Sequence, residues 1–337
     1  MGEALTLRVE DPDRRHAAVR LCSDLPLAGG AREFVRDDAG WVLRLSRPAV
    51  ARLEYQLELV GHDGATQVVC DPGNPDHAPG ALGPKSVLVL PEYRPPAWLT
   101  GPAVPGTVDE LPVRVVGVEL AVRLWSPGDG PLPLLLAHDG PEYDEHAGLT
   151  RYAAAMIERG AAPPFRVALL PPGDRDEWYS ASAAYGRALC RQLLPALRAA
   201  VPVAGRPVGM GASLGGLAML AAQRRFPDVF AALFLQSGSF FVPRFDRHES
   251  GFVRYGRIVR FVRGVLREPS HAAPVPVTLT CGAEEENVHN NRVMVEALRG
   301  HGYDATLHEV ADLHNYTGWR DAFDPYLTGL LARAWAR

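Results

Sequence analysis

Cysteine is scarce, long apolar runs are missing, and there is no surplus of positive charge. The four cysteines, Cys22, Cys70, Cys190 and Cys281, stand far apart without a CxxC pair. That spacing fits buried, reduced thiols better than a disulfide framework or a zinc site. No window approaches the roughly 18 uncharged apolar residues of a membrane helix. The first residues, Met1 to Arg8, carry early charge and no apolar stretch, so they do not read as a signal peptide and the expected location is the cytoplasm. A formal net charge of -4 argues against general nucleic-acid binding, which needs a basic surface. Nearly all of the positive charge is arginine, a bias that by itself points to no function. What is present is ordinary: 337 residues, 47% hydrophobic and 22% charged, enough for two domains with sizeable cores.

The first hundred residues differ from the rest. Short β-like runs at Ala17–Leu21, Gly40–Leu45 and Arg52–Leu59 are punctuated by Gly, Pro and Asp. Residues 52–59 alternate with the period of two of a half-buried strand, and no long helical pattern intervenes. This predicts a small all-β, immunoglobulin-like sandwich over residues 1–100, with the proline-rich Pro91–Leu99 as linker. From about Val113 the pattern changes. A strand pair, Val113–Val118 and Glu119–Trp125, leads into the apolar run Leu132–Ala137. Strands at Phe165–Leu170, Pro207–Gly209, Ala231–Leu235, Val275–Cys281 and Ala305–Val310 then alternate with helices at Leu149–Arg159, Ala181–Val201, Gly215–Phe226, Asn290–Gly300 and Gly318–Ala336. Apolar strands alternating with helices imply a mainly parallel sheet covered on both faces, here over residues 101–337.

Gly211-Ala212-Ser213-Leu214-Gly215-Gly216 matches the G-x-S-x-G elbow of the α/β-hydrolases, with one glycine more. A serine on a strained strand-to-helix turn needs small neighbours two residues away, so that strand and helix pack closely while the hydroxyl points outward. The backbone N–H of Leu214 then sits at a helix N-terminus, facing a developing oxyanion. His314 lies after the last expected strand and before the last helix, where this chain order places the base. His16, His62, His77 and His271 fall in polar, turn-like stretches, His138 and His146 near the expected mouth, and His289 and His301 beside a helix. The acid is expected after the strand Val275–Cys281, where Glu284, Glu285 and Glu286 are adjacent. Successive side chains cannot all point inward, so the residues alone leave the choice open. His289 beside these glutamates lacks the spacing of a metal site; no metal and no cofactor are expected.

At these residues the chain resembles the Esterase D/enterochelin-esterase-like family, and within it the ferric enterobactin esterases. The resemblance is carried by His138-Asp139-Gly140, Arg175-Asp176-Glu177-Trp178-Tyr179, the Gly211–Gly216 elbow, Cys281-Gly282-x-x-Glu285-Glu286-Asn287, and His314-Asn315 followed by Trp319-Arg320. It implies an α/β-hydrolase catalytic domain and a Ser213-His314-Glu285 triad, with Glu286 as the second choice of acid. It implies Asp139-Gly140 as the oxyanion loop; Pro141 has no N–H to offer there, which turns attention to Gly140.

Arg175, Trp178 and Tyr179 follow a strand at the carboxyl edge of the sheet, where α/β ligands bind. They either meet a flat, anionic aromatic group or anchor the loop, and Trp319 either walls the pocket or opens the last helix. Arg254, Arg257, Arg260, Arg263 and Arg267 recur every three or four residues and share a helical face. That face either attracts an anionic substrate at the mouth or is a solvated set of ion pairs. The leading expectation is hydrolysis of a small-molecule carboxylic ester, with an anionic ferric catecholate siderophore as the substrate the resemblance implies. Acyl transfer on the same triad, and ligand binding by a β-domain for glycan with an idle triad, are the competing readings.

Overall fold

The computed structural model describes residues 4–28, 30–267 and 273–336; residues 1–3 and His271 lie outside them. The chain divides into two compact units. One comprises residues 1–94 with 282–285 and 310–318; the other comprises 95–281, 286–309 and 319–337.

The first unit is built on eight strands: β1 (Ala4–Glu10), β2 (His16–Cys22), β3 (Val35–Arg36), β4 (Gly40–Ser46), β5 (Arg52–Gly61), β6 (Thr66–Val69), β7 (His77–Ala78) and β8 (Lys85–Val89). They form two antiparallel sheets, β1-β4-β3 and β2-β5-β8-β7, with β6 added to β5. The alternation read in β5 sets its inward face: Leu53, Tyr55 and Leu57 are buried and join Leu7, Val19 and Leu43 in one core. This is the expected β-sandwich. Its core takes in one residue from the far end of the chain, Leu313, which is 1% exposed.

The second unit holds the eight-stranded sheet of β9 (Thr107–Val115), β10 (Val118–Ser126), β11 (Leu134–His138), β12 (Arg166–Leu170), β13 (Val208–Ala212), β14 (Ala232–Gln236), β15 (Val277–Gly282) and β16 (Ala305–Val310). Its order is β16-β15-β14-β13-β11-β12-β10-β9. The pairs from β12 through β11, β13 and β14 to β15 are parallel, and the β9–β10 hairpin closes one edge antiparallel to β12. The five residues of each of β11, β12, β13 and β14 are all buried, as expected of strands covered on both faces. This is the α/β-hydrolase architecture.

Three local readings are corrected. The hairpin turns at Val116-Gly117, both with positive φ (49° and 82°), the geometry that a tight two-residue turn requires; the reading ran the first strand through the turn to Val118. The long helix after Tyr179 is interrupted by a π turn at Leu189–Leu193. The closing helix is broken at Asp324, whose φ of -109° and ψ of 120° are extended. Pro325 follows it, and the residue before a proline is disfavoured in the helical region. Among the described residues no helix is long and apolar enough to cross a membrane.

Candidate active site

Ser213 follows β13 directly and caps the helix Leu214–Arg225 with φ 53° and ψ -123°. A non-glycine residue held there is strained. The glycines around it make the turn possible. A Cβ on Gly211 would lie 2.5 Å from the Gly215 carbonyl carbon, and one on Gly216 would lie 3.1 Å from the Gly211 oxygen. The Ser213 N–H donates to the Gln236 carbonyl at 2.9 Å, which ties the elbow to β14. Leu214 is the first residue of its helix, so its N–H has no acceptor within that helix.

The neighbouring strand β11 ends in His138, and the chain then turns through Asp139, with φ 49° and ψ 36°, into the helix Gly140–Ala147. Gly140 is the first residue of that helix, so its N–H is likewise unclaimed within it. Only glycine fits, because a Cβ there would sit 2.3 Å from the Leu169 Cα. Pro141 falls in the first turn, where its missing N–H costs nothing. This loop packs against the elbow: a Cβ on Gly215 would lie 3.2 Å from the His138 Cβ and 3.3 Å from Asp139 Oδ2. His138 is fully buried between the Gly215 carbonyl (Nδ1, 3.0 Å) and the Tyr185 hydroxyl (Nε2, 2.8 Å). Its burial pushes the imidazole down to about 4, so it is neutral at pH 7.

Glu285 and His314 meet. Glu285 Oε2 lies 2.9 Å from His314 Nδ1, and Glu285 Oε1 accepts the Gly282 N–H at 2.8 Å. The glutamate side chain is 1% exposed and the imidazole 30%. The two loops approach closely enough that a Cβ on Gly282 would fall 2.2 Å from the Asp312 carbonyl oxygen. The other two glutamates are used differently. Glu284 accepts the Ala49 N–H at 3.2 Å, and exposed Glu286 lies 3.0 Å from His248 Nε2.

Residues 116–330 match the sequence model of the esterase family described as "Putative esterase". The chain belongs to that family. It is 27% identical over 200 residues to the iron(III) enterobactin esterase of Escherichia coli, a match taking in 56% of this chain and 50% of that protein. It thus spans about half the length of the curated relatives it matches, the second being 48% covered. Its fold is similar to a crystal structure of the ferric enterobactin esterase of Salmonella typhimurium, with a TM-score of 0.76, 20% identity, and coverage of 98% and 93% of the two chains. It is also similar to the enterobactin esterase of Shigella flexneri crystallised in the presence of enterobactin, with a TM-score of 0.74, 19% identity, and coverage of 98% and 92%.

The aromatics read as substrate contacts in this esterase-family chain take other places. Trp178 is buried and stacked on Tyr185 at 5.2 Å, and Tyr179 is fully buried with its ring 4.3 Å from His138. Both belong to the apolar core; their large surfaces are more stabilising there than at a wet mouth. Arg175 is 36% exposed and donates through Nε and Nη2 to both oxygens of Asp139, at 2.9 and 3.0 Å. It therefore fixes the Asp139-Gly140 turn through a bidentate pair. Trp319 is 9% exposed, and its indole N–H donates to Ser237 Oγ at 2.9 Å.

The basic helix runs from Tyr255 to Arg267, with Ile258, Val262 and Val265 buried and Arg260, Arg263 and Arg267 exposed. Arg254 and Arg257 both pair with Glu177 at 2.6 Å, and Arg257 Nε also donates to the Ser180 carbonyl at 2.8 Å. Two of the five arginines therefore anchor the segment that carries Arg175. Among the described residues, His248, Glu249 and Glu286 offer three ligand-type atoms within 4.8 Å of one another on the surface. His289, the histidine weighed as a ligand beside the glutamates, stacks instead on Phe245 at 5.5 Å. Sequence reasoning missed Ser239, whose Oγ lies 3.0 Å from Ser213 Oγ. The available signal was the Ser237-Gly238-Ser239 turn after β14, the strand beside the elbow.

Proposed function

We propose that this chain is a serine esterase that hydrolyses carboxylic ester bonds through Ser213, His314 and Glu285, with a catecholate siderophore of the enterobactin class, or its ferric complex, as substrate. The observation that carries the reading is the strained Ser213 backbone, φ 53° and ψ -123°, at the start of a buried helix. Such strain persists where it serves a site, and it projects a hydroxyl out of a turn. Support also comes from the carboxylate–imidazole contact of 2.9 Å between Glu285 and His314.

In this reading Glu285 holds the His314 tautomer through Nδ1, so that Nε2 is the nitrogen that moves protons. His314 takes the proton of Ser213 as Oγ attacks the ester carbonyl. The Leu214 and Gly140 N–H groups donate to the oxyanion, each at a helix N-terminus. Collapse of the tetrahedral species breaks the ester C–O bond, and His314 returns the proton to the departing alcohol. Water, deprotonated by His314, then attacks the acyl-enzyme and releases the acid and the serine hydroxyl. The names of the relatives supply the substrate class.

The test is turnover of p-nitrophenyl butyrate by wild type and Ser213→Ala, followed by product mass spectrometry with enterobactin, with and without iron. The expected result is loss of at least about 10³-fold in kcat for Ser213→Ala and appearance of dihydroxybenzoyl-serine units only with wild type. Equal rates for the two proteins would remove Ser213 from the chemistry.

A further inference from the structure

Arg52 opens β5 in the sandwich and is buried, with a side chain only 4% exposed. Its Nη2 donates to Glu54 Oε1 at 2.7 Å. Its Nη1 reaches Asp312 Oδ2 at 3.4 Å and Asn315 Oδ1 at 3.3 Å. Those two residues bracket Leu313-His314. Asp312 Oδ1 in turn accepts the Leu313 N–H and the Asn315 amide, both at 2.8 Å, and Asn315 Oδ1 accepts the Gly318 N–H at 2.7 Å.

The same short stretch of the sandwich holds both catalytic loops. The Ala51 N–H donates to the Ala311 carbonyl at 2.7 Å, and the Ala49 N–H donates to Glu284 Oε1 at 3.2 Å. Leu313 sits in the sandwich core. His314 is thus flanked on one side by a core residue and on the other by a ligand of Arg52, while the neighbour of Glu285 is bonded three residues upstream of Arg52.

Burying a guanidinium between two carboxylates is expensive, and an apolar cluster of the same volume is often as stable. A network of this kind gains its use from fixing geometry. We propose that Arg52 is a positioning residue for catalysis: by binding Asp312 and Asn315 together it sets the loop that presents His314 to Glu285. The inference rests on the esterase reading above. The charged and titratable groups facing Arg52 are Glu54 and Asp312, with the Tyr93 ring 5.8 Å from its guanidinium carbon. Burial pushes Asp312 up to about 6, against the opposing charge of Arg52. Without that charge Asp312 becomes protonated nearer neutrality and the loop loses its grip on the sandwich.

The experiment uses the full chain and p-nitrophenyl butyrate. Arg52→Lys keeps the charge and loses the fork; Asp312→Asn keeps the shape and loses the charge partner. Arg8→Gln, in the exposed Arg8–Asp37 pair of the same unit, is the control and is expected to match wild type. For each variant that melts well above the assay temperature, the expected result is kcat lower by about 10–100-fold with KM within about twofold, the size of effect that slight misplacement of a catalytic group produces. A double variant no worse than the weaker single would confirm that the two act as one unit. If Arg52→Lys does not fold, Asp312→Asn alone decides.

A lowered melting temperature with wild-type kcat and KM would mean that the network is merely structural and would overturn the proposal. Ser213→Ala and His314→Ala run alongside. If these two retain full turnover, the esterase reading fails. If they are inactive while the Arg52 and Asp312 variants behave as wild type, only the positioning role fails.

Discussion

Glu284, Glu285 and Glu286 are adjacent and chemically alike, yet each side chain is used differently: against a backbone amide, against His314, and against a surface histidine. What separates them is where the turn after β15 points each Cβ, which no local pattern encodes. The consequence is measurable. On the proposed mechanism Glu285→Gln removes the charge that steadies the imidazolium and allows the wrong tautomer, so kcat on p-nitrophenyl butyrate is expected to fall on the order of 10³–10⁴-fold with KM little changed. Glu286→Gln removes an exposed pairing with His248 and is expected to stay within about twofold of wild type, since such pairs contribute little. The reverse ranking would reassign the acid. Ser213 was legible because its requirements are local: a strand before it, a helix after it, and small residues at Gly211, where a Cβ would collide, and Gly215, where one would be tight. For Trp178 and Tyr179 the residues left contact with a ligand and anchoring open, because an aromatic next to an arginine has the same sequence whether it faces a ligand or a core; in the structure both rings are buried.

At the scale of elements, strand and helix types were legible from period and composition, whereas the interruptions were decided by single residues. Pro325 ends a helix whose apolar period continues past it, and Val116-Gly117 turns a hairpin inside a run of β-formers. The joints between elements are where tertiary partners matter most. Asp11 shows this in the sandwich. It lies just after β1, is 2% exposed, and accepts from the Arg15 N–H at 2.7 Å, Arg36 Nη2 at 2.8 Å and Trp41 Nε1 at 3.1 Å. Burial alone would raise its carboxyl; these donors overcome burial and hold it at about 2. A carboxylate depressed from its unfolded value contributes stability at pH values above that unfolded value and loses it as pH falls through about 2. Asp11→Asn is therefore expected to destabilise the chain by about 2 kcal/mol at pH 7 and by less than about 1 kcal/mol near pH 2.5. Urea unfolding of both proteins across that range checks it, and a destabilisation independent of pH would show that the charge of Asp11 is not what matters.

For the molecule as a whole, charge is the property that bears on the proposed substrate. A formal net charge of -4 repels an anion such as a ferric tris-catecholate, so any attraction must be local. On the proposed reading the helix Tyr255–Arg267 is the source: Arg254 just before it and Arg257 within it share the single carboxylate of Glu177, while Arg260 and Arg263 stay exposed. The arginine periodicity was visible in the sequence; the Glu177 pairing, which links positions 80 residues apart, was not. Steering by exposed charges is screened by salt, with a Debye length of about 10 Å at 0.1 M and about 3 Å at 1 M. For wild type, kcat/KM on the ferric complex is expected to fall several-fold between low and high salt, while kcat/KM on neutral p-nitrophenyl butyrate stays nearly flat. Arg260→Gln with Arg263→Gln should flatten the slope for the ferric complex, mainly by raising KM at low salt. An unchanged slope in the double variant would make this face a solvated one and would move the attraction to another part of the surface, with Arg175, still 36% exposed beside Asp139, as the next residue to substitute.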